Sequence, residues 1–163
     1  MIDYPRQCPQ CRPSNRPLIG GCILTSSSAL KGRNILVAED SDDMWTLTEI
    51  YLKMAGASAD RAVNGSQVLE KTSAKSYSAI LMDVQMPVMD GLEATRILRR
   101  RGFTNPIIAF TTNASKPHES ESLSAGCNAH ITKPQSASTL VDRLADICDA
   151  ADSSAALQNE NDS

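Results

Sequence analysis

A chain of 163 residues with 41% hydrophobic and 21% charged side chains has room for one domain with a modest core and none for a second catalytic domain. Its formal charge of -3 is uneven, +4 over residues 1–33, -4 over 34–150 and -3 over 151–163, a distribution that does not suit a nucleic-acid binder. No apolar stretch approaches the roughly 20 residues that span a bilayer, and the proline-studded start lacks the charged-then-apolar order of a signal peptide, so a cytoplasmic protein without a membrane partner is expected. Of the five cysteines, Cys22, Cys127 and Cys148 are scattered without framework spacing, which fits a reducing compartment. Cys8-Pro-Gln-Cys11 is half of a tetrahedral zinc site with no second pair to complete it, so no structural zinc is expected there.

Residues 1–33, rich in Pro, Arg, Ser and Gly, show no periodicity and read as a leader or linker. The run NILVA at 34–38 is short and continuously apolar, the pattern of a parallel strand covered on both faces. After Ser41, Leu47, Ile50, Tyr51 and Met54 recur at helical spacing, and Gly56 supplies a stop. SADRA at 58–62 is more polar and suits an edge strand. AILM at 79–82 is a second central strand, followed by Asp83 and, seven positions on, by Asp90. Asp90-x-x-Glu93 before LEATRILRR is a capping-box pattern, with Arg99, Arg100 and Arg101 near the negative helix end, so Asp90 reads as a cap.

PIIAF at 106–110 is the third central strand. The helix expected near 115–126 has Leu123 as nearly its sole large apolar residue and should be loosely anchored. AHI at 129–131 reads as the other edge, Leu140, Val141, Leu144 and Ile147 mark the last helix, and 151–163 is a polar tail. Five strands alternating with five helices over 34–150 predict an α/β fold, a doubly wound parallel sheet whose ligands bind beyond the carboxyl ends of the strands.

At those ends stand Glu39 and Asp40, then Asp83, then Thr111 and Thr112, then Lys133 and Pro134. Three carboxylates gathered at one rim repel one another, and a divalent cation is the natural remedy. An all-oxygen pocket without His or Cys suits Mg²⁺ rather than zinc. With the metal and Lys133 nearby, a carboxylate can attack phosphorus while the cations and a hydroxyl take up charge on the phosphoryl oxygens. Asp83 alone would read as a turn residue; its partners at the other strand ends make it a phosphoryl acceptor.

The segments ILVAED, ILMDVQMPVMDGLEATR, NPIIAFTTNA and AGCNAHITKP together resemble the receiver domain of two-component response regulators, in motif order, over roughly 34–148. The wording is most similar to receivers attached to hybrid histidine kinases. The resemblance implies a flavodoxin-like sheet of order 2-1-3-4-5. It implies Asp83 as phosphoacceptor, with Glu39 and Asp40 as the acidic pair that holds Mg²⁺ and the carbonyl of Gln85 as a further ligand. Thr111 would be the hydroxyl that moves toward the phosphoryl group, Lys133 its pairing cation, and His130 the switch residue whose ring turns inward. It also implies a cis Lys133-Pro134 bond. The donor would be a histidine kinase or histidine phosphotransfer protein, and the domain, not an enzyme in its own right, would assist its own phosphorylation and dephosphorylation.

Three positions depart from the common pattern. Glu39 replaces an aspartate with a longer arm, Thr112 stands where a small residue is usual and narrows the path to Asp83, and His130 replaces Tyr or Phe and can add charge at mildly acid pH. Two other functions compete. A haloacid-dehalogenase-type enzyme also uses a strand-end aspartate and Mg²⁺, but needs a second acid where Gln85 stands. A receiver-like interaction module that has lost phosphorylation draws its support from Thr112.

Overall fold

The computed structural model describes residues 29–112, 115–133 and 135–159, with side chains of the last helix described to Ser154. The expected leader up to residue 28, with Cys8, Cys11 and Cys22, lies outside the described residues, as do Asn113, Pro134 with the expected cis bond, and the end of the polar tail from residue 160.

Strands and helices alternate: β1 Asn34–Ala38, α1 Asp42–Met54, β2 Ser58–Ala62, α2 Gly65–Ala74, β3 Ala79–Met82, α3 Gly91–Arg100, β4 Ile107–Thr111, α4 Lys116–Ala125, β5 Ala129–Thr132 and α5 Ala137–Asn159. All neighbouring pairs are parallel, in the order β2-β1-β3-β4-β5. The three apolar runs therefore occupy the centre, and the two weaker segments the edges. Ile35 pairs with Ala79 and Ala38 with Met82, while Thr111 pairs with Thr132, so the carboxyl ends of β1, β3, β4 and β5 reach one rim.

Alternation along the strands divides the core into two layers. Ile35, Val37, Leu81, Ile108, Phe110 and Ile131 pack with Leu52 of α1 and Leu140 and Leu144 of α5 on one face. Leu36, Ala38, Ile80, Met82, Ile107 and Ala109 pack with Val68 of α2 and Ala94 and Leu98 of α3 on the other. Leu30, placed in the leader by composition, is fully buried in the first layer, and its N–H donates to the Ala55 carbonyl at 3.0 Å. At the other end α5 continues past residue 150 to Asn159.

Helix α1 forms where periodicity places it, capped by Ser41, but of the four periodic residues only Tyr51 packs against the core. Leu47, Ile50 and Met54 are 37%, 48% and 61% exposed, whereas Thr48 and Leu52 are buried. The inward stripe runs through Met44, Thr48, Leu52 and Ala55, at steps of three and four. A threonine at its centre hides that stripe from a hydropathy count. In α4 the buried residues are Ser122 and Ala125, and Leu123 is 48% exposed, so the helix presents no large apolar side chain to the core.

Candidate functional site

The rim is built by continuing the sheet one step past each strand. The Glu39 N–H donates to the Ala62 carbonyl at 2.8 Å, Asp83 N–H to Ala38 at 3.0 Å, and Lys133 N–H to Thr111 at 2.7 Å. These bonds hold three titratable residues in ladder geometry although none belongs to a strand. One carboxylate oxygen from each of Glu39, Asp40 and Asp83 lies within 4.8 Å of the others, with Glu39 and Asp83 buried and Asp40 exposed.

Lys133 enters this cluster from the far side of the sheet. Its Nζ donates to Asp83 Oδ2 at 2.7 Å and to Glu39 Oε2, with its side chain only 4% exposed. Two acids and one ammonium thus form a buried ion-paired triad, and Asp40 adds a third negative charge at its mouth. The other oxygen of each acid also accepts a hydrogen bond: Glu39 Oε1 from Ser41 N–H at 3.2 Å and Asp83 Oδ1 from Gln85 N–H at 3.0 Å. Buried charges persist only when paired and hydrogen-bonded in this way.

The segment after Asp83 is drawn tight. The Gly91 N–H donates to the Val84 carbonyl at 3.1 Å, and a Cβ on Gly91 would lie 2.0 Å from the Asp83 carbonyl oxygen. Only glycine allows the start of α3 to approach the acid this closely. Asp90 caps that helix, its Oδ1 accepting from Glu93 N–H at 2.7 Å. The two aspartates of the loop therefore have separate positions, one at the rim and one at a helix end. Val88 between them has φ 70 and is 87% exposed, a strained conformation for a β-branched residue.

Thr111 is buried at the end of β4 and, with Val84, Gln85 and Arg96, lines a cleft of about 490 Å³ between α3 and α4. Thr112 is exposed beside it. His130 lies half-buried on β5, opposite Ala109 in register and two strands from Asp83. Glu39, Asp40, Asp83 and Lys133 are thus brought into direct proximity, Thr111 and Gln85 share the adjoining cleft, and His130 stands apart on the edge strand.

Arg61 is the residue at this site that sequence reasoning missed. Its guanidinium donates to the carbonyls of Glu39 at 2.9 Å and Asp40 at 2.8 Å. In SADRA it reads as one more charge on an edge strand, and no spacing signal links it to the acids.

The response regulator receiver domain model matches residues 35–145. The chain belongs to the receiver domain family of two-component response regulators. Two-component system protein A of Emericella nidulans is 37% identical over 131 residues, 75% of this chain and 19% of that protein. Sensor protein EvgS of Escherichia coli K12 is 35% identical over 114 residues, 70% of this chain and 10% of that protein. The chain therefore spans under a fifth of the length of either relative. Among solved structures, the receiver domain of sensor histidine kinase PA1611 from Pseudomonas aeruginosa PAO1, with a magnesium ion coordinated in its active site cleft, superposes with a TM-score of 0.67 at 34% identity, covering 72% of this chain and 98% of that one. Receiver domains are signalling domains of two-component systems. Among the described residues no helix is long and apolar enough to cross a membrane.

Proposed function

We propose that this receiver domain takes a phosphoryl group from a phosphohistidine donor onto Asp83 in the presence of Mg²⁺, and that the modification changes a face offered to a partner. The observation that carries this reading is the convergence of Glu39, Asp40 and Asp83 within 4.8 Å, with the Lys133 ammonium 2.7 Å from Asp83. The donor set is entirely oxygen and partly exposed, which fits a hard, partly hydrated divalent cation. Glu39, Asp40, Asp83 and the Gln85 carbonyl would hold the ion. When bound, Mg²⁺ offsets the charge of the acid cluster and of the phosphoryl oxygens.

The chain's own groups supply the rest. An Asp83 oxygen attacks phosphorus as the donor's N–P bond breaks; the electron pair leaves with the imidazole nitrogen and an acyl phosphate forms. Lys133 holds the nucleophile in place through Oδ2 and lies ready to pair with the added negative charge. Thr111, at the cleft beside it, would donate its hydroxyl to a phosphoryl oxygen, and His130 would follow that movement on β5. Segment 115–126 is suited to such a shift because α4 has little apolar anchoring. The sensor-kinase relatives support a histidine kinase or histidine phosphotransfer protein as donor.

Incubation with Mg²⁺ and acetyl phosphate, followed by intact-mass measurement, tests the assignment. A single phosphoryl increment is expected in the wild type and none in Asp83→Asn. The same increment in the variant would place the acceptor elsewhere, and no increment in either protein would favour the phosphorylation-deficient interaction module. Thr112, the residue behind that second reading, is exposed at the end of β4.

A further inference from the structure

The polypeptide leaves the sheet at the point where the acid pair begins. The last ladder bond of β1 is made by the Glu39 N–H, and Asp40 lies beyond it on the way to Ser41, the cap of α1. A metal ligand on such a loop needs its peptide planes fixed by something other than strand pairing. Arg61, on edge strand β2 and paired with Val37, is placed to do this.

Each of its three guanidinium nitrogens is engaged. Nε donates to the Glu39 carbonyl at 2.9 Å, Nη2 to the Asp40 carbonyl at 2.8 Å, and Nη1 to Asp42 Oδ1 at 2.6 Å. The guanidinium carbon also lies 6.0 Å from the centroid of the Trp45 ring on α1. Its side chain is 21% exposed, while Asp42 is 89% exposed, so the ion pair is the weakest of these contacts in its effect. The two carbonyl bonds matter more, because they set the orientation of the peptides that carry the Glu39 and Asp40 side chains. A lysine has the same charge but no fixed fork and cannot take both carbonyls in one plane.

We propose that Arg61 is a positioning residue for the metal-binding acid pair: it clamps the β1–α1 loop by its backbone and presets Glu39 and Asp40 for Mg²⁺. The proposal rests on the metal site described above. It assigns to Arg61 an action through geometry, distinct from its charge, which by itself opposes a cation.

Mg²⁺ titration by calorimetry, with emission of the single tryptophan Trp45 as a second signal, tests this on wild type, Arg61→Lys, Arg61→Met and Asp40→Asn. Loss of a clamp that orients metal ligands weakens affinity by roughly ten-fold or more, and this is expected in both Arg61 variants. Thermal melting in metal-free buffer should show Arg61→Lys folded, so that its weaker binding reports loop geometry. Arg61→Lys binding Mg²⁺ within about two-fold of wild type, or Arg61→Met binding it more tightly, would overturn the proposal by showing a charge effect alone. Asp40→Asn separates the two levels: wild-type affinity in that variant would mean that the metal site itself is misassigned.

Discussion

Tyr77 shows how one side chain can report its surroundings. Its hydroxyl donates to Asp60 Oδ2 at 2.8 Å, and Lys75 Nζ donates to the same oxygen at 2.8 Å. Burial first, and then the Asp60 hydrogen bond, push the phenol up to about 12, while Lys75 and then Tyr77 hold the Asp60 carboxyl below its usual range. Folding favours the charged form of Asp60 and the neutral form of Tyr77, so each links stability to pH. The contribution of Asp60 is fully present above its ordinary value of about 3.9 and is lost as pH falls below that value through its folded one. That of Tyr77 is fully present below about 10 and is lost as pH rises from there toward its folded value. Asp60→Asn should therefore shift the tyrosinate absorbance titration of Tyr77 downward without returning it to the ordinary range, since burial is the larger cause. A titration that does not move would show the hydrogen bond to be immaterial. Two thiols tell a simpler story: burial raises Cys127 and Cys148, both free, which makes them poor nucleophiles.

At the level of the element, capping and strand signals were legible because they are local. Asp90 and Ser41 cap the helices they precede, and the central runs 34–38 and 79–82 form strands over those same residues. The inward face of α1 was not legible, because Leu47, Ile50 and Met54 make an outward apolar stripe while the buried face carries Thr48 beside Leu52. Urea denaturation distinguishes the two stripes. Leu52→Ala should cost about 2–5 kcal/mol, the range for emptying a packed site. Ile50→Ala, 48% exposed, should stay within about 0.5 kcal/mol. Equal costs would mean that the outward stripe is covered. Arg61 was illegible for a related reason: its partners are backbone carbonyls, which any residue type presents, so no side-chain pattern marks them.

Over the whole molecule, the sheet order brings the rim together and the two apolar layers hold it there. Of the described side chains of α5, those at 151–154 belong to neither layer. Arg33 pairs with Asp149 at 2.7 Å and Asp152 at 2.9 Å, acids 53% and 70% exposed. Removing residues 151–163 should therefore lower unfolding free energy by about 1 kcal/mol or less, as is usual for exposed pairs, because Leu140, Leu144 and Cys148 remain. A loss of several kcal/mol in chemical denaturation would show that the tail is part of the core. The sequence by itself determined the alternation of elements, the central and edge strands and the chemical types waiting at the strand ends, since each depends on neighbours a few residues away. Only the tertiary structure decided that Lys133 bridges Glu39, 94 positions distant, and Asp83, 50 positions distant. Such contacts are set by which strands pair and in what register, and α1 turns Thr48 and Leu52 inward because the sheet surface, not the helix's own hydropathy, selects the face that packs.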